Sequence, residues 1–295
     1  MSRSVILKSS IVKKYWMALT GLFLCLFLVG HLLGNLQLFA ASEEGRRAFN
    51  EYGYFMGHNI FIKILSYLTY ISILFHAIDG ILLTVQNKKA RPINYVKNNA
   101  GANSSLASRS MAILGSIILI FIVTHMANFW WVVKMSSKQM PLHSIVYTDQ
   151  KSGMSQDLYI THSGNMLPTA YFESSEMAPA QMKIKNGTEF YSAEGDLLIG
   201  EGYKDMHSLV YAFFGHDKTK YGFPENKLAL WAVIGYVISM LVLAYHLMHG
   251  FASAFQSLGL RHPAYTKLIK GLGTGFAIII PLLFAIIPIY IYLTK

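Results

Sequence analysis

The chain has 295 residues, of which 53% are hydrophobic and 14% are charged, and its formal net charge is +10 at pH 7. This composition is too apolar for an ordinary soluble domain. The basic residues form no patch interleaved with aromatic residues, which argues against a nucleic-acid surface. Cysteine occurs once, at Cys25, and this excludes a disulfide framework, a cysteine-ligated cluster and a C-x-x-C-H attachment motif.

Five long apolar runs dominate the chain. Each exceeds the roughly 20 residues that cross a ~30 Å hydrocarbon layer, and an isolated span satisfies its backbone only as a helix. The sequence therefore predicts an all-α integral membrane protein with five transmembrane helices. We name them spans one to five, at about 15–39, 60–86, 110–133, 228–255 and 271–293. A signal peptide is the alternative for the first run, but this run is longer than a typical h-region.

The spans divide the chain into three predicted parts. Residues 1–135 hold spans one to three, with a short outer loop at about 40–57. Residues 136–226 form an extracytoplasmic insertion, and residues 227–295 hold spans four and five.

The insertion is the one part of the chain that looks soluble. The alternating stretches "SIVYT" and "EFYSAEGDLLIGEG" predict a small β-hairpin element. Residues 203–215 carry an apolar stripe at helical spacing, which predicts an amphipathic helix on the outer membrane surface. Four histidines of this region are expected to be solvated loop residues, with metal binding as the alternative: His143, His162, His207 and His216.

The basic residues predict how the spans are oriented. They collect before span one, after span two and after span four, in three regions that contain no acidic residue. Cytoplasmic connections carry the excess of lysine and arginine, so this side is expected to be cytoplasmic. The amino terminus is then cytoplasmic and the carboxyl terminus extracytoplasmic.

Four of the five spans hold a histidine well inside the apolar run. Intramembrane ionisable residues are rare and usually functional. At about 1.5 Å per residue, His31 and His125 lie roughly 25 and 24 Å from the inner basic residues, whereas His76 and His246 lie roughly 18 and 22 Å away. These depths predict an outer pair, His31 with His125, and an inner pair, His76 with His246.

The direction of the spans supports the same pairing. Spans one and three run outward and spans two and four run inward, so each pair joins diagonal partners of a four-helix bundle. A flat macrocycle between two diagonal imidazoles fits this arrangement, and six-coordinate bis-histidine iron suits electron transfer. His76 and His246 each begin an H-x-x-x-G motif, and this spacing places a glycine on the same helix face as the histidine. This shared spacing favours His246 over its rival His249.

Four segments carry a resemblance to a known family. They are "MALTGLFLCLFLVGHLLGNLQLF" in span one, the H-x-x-x-G of span two, "HMANFWW" in span three and "YHLMHGFASAFQSLGL" in span four. The chain resembles the five-helix, dihaem cytochrome b membrane anchor of succinate dehydrogenases and fumarate reductases. The resemblance covers about 1–135 and 203–295, and the segment 136–202 is longer than expected for the family. It implies that the first four spans form a haem-binding bundle.

The resemblance also implies a function. The chain would be the membrane-anchor subunit of a succinate:quinone oxidoreductase in the bacterial inner membrane, with two haem b groups. The axial ligands would be His31 and His125 for the outer haem and His76 and His246 for the inner haem. Electrons would pass from a flavoprotein and an iron–sulfur subunit on the cytoplasmic face, through both haems, to a quinone, which in such anchors is usually menaquinone. A dimer of the whole complex is compatible with this assignment.

Two alternatives stay open at this point. The same subunit could serve a quinol:fumarate reductase, with electron flow reversed. A histidine-lined metal or proton transporter would also explain ionisable residues inside spans, although no broken helix or repeat supports it.

Further polar residues are candidates for supporting roles. A quinone needs polar groups beside an apolar slot, and four residues near the outer haem edge qualify: Asn35, Gln37, His58 and Asn59. Contacts with a haem propionate or a partner subunit are expected from Asp79, Lys88, Lys89, Arg91 and His249.

Overall fold

The computed structural model describes residues 9–90, 93, 99–135, 140–175, 178–195, 197–215, 223–224 and 226–295. It confirms five helices that are long and apolar enough to cross a membrane, so the protein is a multi-pass membrane protein. Their bounds are Ile11–Phe39, Ile60–Lys89, Met111–Lys134, Ala229–Ser257 and Pro263–Thr294. The helix that contains span five begins at Pro263, before the apolar run predicted from 271. Its first two turns contain polar residues, so hydropathy does not mark them.

The helices, numbered in chain order, are α1 (Ser10–Asn35), α2 (Glu43–His58), α3 (Ile60–Lys89), α4 (Ala100–Asn103), α5 (Leu106–Arg109), α6 (Met111–His125), α7 (Trp131–Lys134), α8 (Met206–Phe214), α9 (Ala229–Ser257) and α10 (Pro263–Thr294). A 3₁₀ turn, Leu36–Phe39, ends span one, and a π-helical turn, Met126–Trp130, joins α6 to α7 within span three. Pi-helical turns are rare and occur frequently at functional sites. This one follows directly after His125.

Backbone contacts divide the chain into two compact units. The span unit contains Met1–Leu36, Ile60–Thr124 and Leu230–Ile289. The mixed unit contains Gln37–Asn59, His125–Ala229 and Tyr290–Lys295.

Within the span unit, spans one and two pack closely along their length. Spans one, four and five share a small apolar core formed by Cys25, Leu247 and Ala277. Many apolar side chains point outward; Phe61, for example, is 73% exposed. Outward apolar residues are the expected surface of helices that face lipid.

The described residues of the mixed unit form two three-stranded antiparallel sheets, each with its strands side by side in chain order. The pairing places Ile145 opposite Leu158 in the first sheet and Ile184 opposite Phe190 in the second. Phe190 is fully buried and packs against Tyr159 and Phe172. The strands, numbered β1 to β6 in chain order, are Ser144–Thr148, Ser155–Ile160, Met166–Pro168, Met182–Lys185, Glu189–Ser192 and Leu198–Glu201.

These sheets correct the all-α prediction, because the protein is mostly helical but not entirely so. Strand β1 coincides with the predicted "SIVYT", and β5 and β6 lie within the predicted hairpin segment. Strands β2, β3 and β4 were not predicted. They are short, and β2 has consecutive exposed residues at its start, so apolar alternation is too weak to mark them.

Helix α2 corrects a second prediction, since a short outer loop was expected at about 40–57. Its amino end is capped by Ser42, whose hydroxyl accepts a hydrogen bond of 3.1 Å from the Gly45 N–H. Glu43 and Glu44 lie in the first turn, where the helix dipole favours negative charge.

Helix α8 lies within 203–215, and Asp205 caps it by accepting a hydrogen bond from the Ser208 N–H at 3.1 Å. Every residue of α8 is buried or half-buried. Its polar residues His207 and Ser208 are therefore enclosed by protein.

Candidate functional site

The imidazoles of His76 and His246 lie next to each other inside the span unit. Their ring centres are 6.2 Å apart, and the ring planes meet at 65°. An imidazole nitrogen lies about 2 Å from a bound transition metal and roughly 1 Å from its own ring centre, so two imidazoles sharing one metal have centres about 6 Å apart. The observed separation fits two imidazoles that share one metal ion.

Thr20 of span one fixes the orientation of the His76 ring. The Thr20 hydroxyl donates to the Trp16 carbonyl at 2.7 Å, and its oxygen lies 3.2 Å from His76 Nδ1. With the hydroxyl proton directed to Trp16, the Thr20 oxygen is an acceptor for Nδ1–H in the Nδ1-protonated tautomer of His76, and the Met17 backbone lies near the ring as a second acceptor. This tautomer leaves the lone pair of Nε2 available for a metal.

Glycines of neighbouring spans lie against both imidazoles. A Cβ at Gly21 would lie 3.1 Å from His76 Cε1, and one at Gly115 would lie 3.7 Å from His246 Cε1. Spans one and three therefore approach the two rings at residues without side chains. A larger residue at position 21 would force the His76 ring to move.

The glycines of the two H-x-x-x-G motifs have different neighbours. Cβ atoms at Gly80 and Gly250 would lie 3.7 and 4.0 Å from the Cε atoms of Met17 and Met111. Each glycine thus lets the end of a methionine side chain approach its helix, at ordinary van der Waals distance.

His246, rather than His249, forms the described ring contact with His76. His246 Nδ1 is enclosed and has no hydrogen-bond partner among the described residues. His249 lies one turn further along α9 and is half-buried.

The charged residues predicted near the inner pair lie at the same end of span two. Asp79 is half-buried and close enough to Lys13 and His76 to interact electrostatically with both. Lys88 and Lys89 form the exposed last turn of α3. Arg91 lies outside the described residues.

The two predicted outer ligands belong to different units, so their pairing stays a prediction. In the span unit, the His31 ring stacks on Phe27 at 5.3 Å and lies 5.6 Å from the Phe284 ring of span five. In the mixed unit, the His125 ring lies 5.3 Å from that of Phe129, within the π-helical turn.

The quinone candidates also fall in both units. Asn35, in the span unit, donates to the His31 carbonyl at 2.7 Å. Gln37 is half-buried in the 3₁₀ turn of the mixed unit. In that unit, the His58 ring stacks on Tyr54 at 3.9 Å with Nε2 3.7 Å from Glu201, and Asn59 ends α2.

The mixed unit contains a buried polar cluster that the sequence did not predict. Arg46 of α2 forms an ion pair of 2.5 Å with Asp205, and both residues are at least 96% buried. Arg46 also donates to Glu43 at 2.9 Å and to Ser208 at 3.1 Å. Asn50 joins the cluster by donating to Asp205 at 2.9 Å. We call these residues and their neighbours His143 and His207 the buried polar cluster.

Hydrogen bonds within this cluster stabilise the carboxylate of Asp205. Burial opposes ionisation, but hydrogen bonds from Arg46, Ser208 and Asn50, with the charge of Arg46, lower the Asp205 pKa below its usual value. The guanidinium and carboxylate therefore stay charged and compensate each other, as a buried ion pair requires.

Two of the four insertion histidines are not solvated, which corrects the sequence prediction. His143 is 0% exposed and His207 is 3% exposed. Asn50 donates toward His143 Nδ1 at 3.3 Å, so the proton of His143 lies on the enclosed Nε2. His162 is exposed as expected, and His216 lies outside the described residues.

Burial keeps both cluster histidines neutral. Burial first, with the charge of Arg46 and against the opposite effect of Asp205, lowers the pKa of His143 and of His207 to about 4. The His207 ring stacks on Tyr211 at 4.2 Å and lies near the Ala40 carbonyl without meeting hydrogen-bond geometry.

Comparisons with known proteins give no further assignment. No family model, no curated protein and no solved structure matches this chain.

Proposed function

We propose that the chain is the dihaem cytochrome b anchor subunit of a complex II-type succinate:quinone oxidoreductase. The observation that carries the proposal is the pair of imidazoles of His76 and His246, 6.2 Å apart on spans two and four. Asp79 lies near His76, but the ring contact itself joins two imidazoles, which have little to gain from each other without a shared ligand. A shared iron ion explains why they converge inside an apolar bundle.

The side chains around this pair have distinct roles in the proposal. His76 and His246 would hold the inner haem through their imidazoles, and Thr20 would hold the His76 ring in the tautomer that leaves Nε2 for the iron. Gly21 and Gly115 allow spans one and three to lie directly against the imidazoles. The bound haem supplies a one-electron couple without an open position for oxygen.

The second haem rests mainly on the sequence. His31 and His125 are proposed as its ligands because their depths match, and the π-helical turn after His125 is a feature common at functional sites. Two haems at different depths would carry electrons across the hydrocarbon layer. The flavoprotein and iron–sulfur subunits would bind at the cytoplasmic face, and Asn35, Gln37, His58 and Asn59 are proposed to bind menaquinone.

The central experiment is haem quantitation on the purified chain and on its His76→Ala variant. Wild type is expected to bind two haems, and His76→Ala one, because the outer pair is untouched. Equal haem content in both proteins would overturn the assignment of His76. A haem-free, folded wild type with metal-dependent transport would instead support the transporter hypothesis.

The direction of electron flow requires a separate measurement. The same subunit could serve fumarate reduction, because the potentials of the haems depend on hydrogen bonds and burial around them. Assay of the whole complex in both directions, with menaquinone and menaquinol analogues, distinguishes the two.

A further inference from the structure

Thr20 makes a contact that its position in an apolar helix does not require. It is 9% exposed, and its hydroxyl could satisfy itself fully by donating to the Trp16 carbonyl four residues earlier. Its oxygen nevertheless also lies 3.2 Å from Nδ1 of His76, which is 56 residues away in the chain. The contact joins spans one and two at the ring proposed to bind iron.

We infer that Thr20 is a positioning residue that sets the tautomer and the electron-donating strength of His76 as a haem ligand. This inference rests on the proposed function. A ligating histidine almost always donates its other ring N–H to an acceptor, which fixes the ring and raises the basicity of the ligand. Thr20 supplies a side-chain acceptor from a neighbouring helix, beside the Met17 backbone of the same helix.

The facing ligand lacks an equivalent contact. Nδ1 of His246 is enclosed and has no hydrogen-bond partner among the residues that the structure describes. The two axial ligands are therefore unequal, with His76 the more basic and the more firmly oriented. A more basic ligand stabilises the ferric state, so the Thr20 hydroxyl lowers the midpoint potential of this haem.

The test compares Thr20→Val, which removes the hydroxyl but keeps the shape, with Thr20→Ser, which keeps the hydroxyl. Redox titration of the purified chain should show one of two haem potentials shifted upward in Thr20→Val and the other unchanged. Removal of such a contact typically weakens metal affinity by about 10- to 100-fold, so haem should also dissociate more readily from one site. Thr20→Ser should behave as wild type.

Thr69 provides a matched control. It is a buried threonine of span two, and its hydroxyl donates to the Leu65 carbonyl at 2.9 Å. Thr69 has no described contact to a histidine, so Thr69→Val removes a hydroxyl from a membrane helix without touching a proposed ligand. The midpoint potentials of both haems should therefore stay at their wild-type values. Thr20→Ala removes the hydroxyl with less bulk and is expected to match Thr20→Val, so a poorly folded valine variant does not prevent the test.

The outcomes separate this inference from the proposed function. Two haems in wild type with unchanged potentials in both Thr20→Val and Thr20→Ala would overturn the role of Thr20 and leave the haem assignment standing. Equal shifts of both potentials, or a shift in Thr69→Val of the same size, would also overturn it. A wild-type chain without haem would remove both proposals together.

Discussion

The two units of this protein bury ionisable side chains in opposite ways. In the mixed unit, Arg46 and Asp205 are charged, bonded to each other at 2.5 Å and surrounded by further polar partners. In the span unit, His76 and His246 lie next to each other, and the polar groups near His76 are the Thr20 hydroxyl, the Met17 backbone and Asp79. The comparison teaches that the ion pair of Arg46 and Asp205 is complete in itself, whereas buried imidazoles in both units, at His143, His207 and His246, keep ring nitrogens without a described hydrogen-bond partner.

This difference has a simple physical basis. Removing a charge from water is costly unless an opposite charge and hydrogen bonds replace the solvent, and the buried polar cluster provides both. Imidazoles avoid the cost by staying neutral, and a neutral imidazole is the form that binds metals. The cluster therefore stabilises structure, and the histidine pair is available for chemistry.

The largest expected effect concerns the histidine pair itself. His246→Ala should lose one of two haems, because His76 alone cannot hold a six-coordinate site, while His249→Ala should keep both. Haem quantitation and the low-spin spectrum of each variant measure this. Loss of a haem in His249→Ala, with both retained in His246→Ala, would reverse the assignment.

The next effect concerns the buried polar cluster. Asp205→Asn removes the charge that compensates Arg46, and breaking a buried pair in this way costs about 3 kcal/mol or more. Hydrogen exchange of α2 and α8 should therefore accelerate strongly, with haem content unchanged.

The exposed pair between Arg47 and Glu51 provides the control for that variant. Their side chains are 44% and 39% exposed, and such pairs contribute about 0.2–1 kcal/mol. Glu51→Gln should therefore leave the exchange of α2 nearly unchanged. Equal effects of Asp205→Asn and Glu51→Gln would show that burial of the cluster is not important for stability.

A smaller effect is expected from pH. The folded-state pKa values of His143 and His207 are about 4, below the ordinary 6.5, so the unfolded chain binds more protons between these limits. Stability of the mixed unit should fall as pH falls from about 6.5 toward 4. Between pH 7 and 5.5 the loss is about 1 kcal/mol for each histidine.

Substitution identifies the groups responsible for this pH dependence. His143→Gln should flatten the pH dependence of exchange in α8, because one of the two titrating groups is gone. His162→Gln, at an exposed histidine, should leave it unchanged. An identical slope in wild type and His143→Gln would contradict the buried, neutral state of His143.

The sequence predicted the spans well and the mixed unit poorly, for related reasons. An apolar run of more than 20 residues has one stable structure in lipid, so spans one to five were recognisable locally. Helix α2 was missed because its sequence is polar, although Ser42 followed by Glu43 and Glu44 is a recognisable start signal.

The candidate site residues were likewise easier to predict in the spans than in the mixed unit. His76 and His246 stand out because their neighbours are apolar. Their pairing was predicted from the direction of the spans and the shared H-x-x-x-G spacing, since by depth alone His249 matches His76 slightly better. Arg46 and Asp205 are 159 residues apart in segments rich in polar residues, so no local pattern indicated their pairing. His143 and His207 were expected in solvent for the same reason. The contact from Thr20 to His76 depends on how spans one and two rotate, which hydropathy does not specify.

The most direct test of the account is a reduced-minus-oxidised spectrum, with haem quantitation, on the purified, folded chain from cells supplied with haem. The account predicts the α and Soret bands of low-spin b-type haem and two haems per chain. A colourless, correctly folded preparation would contradict it.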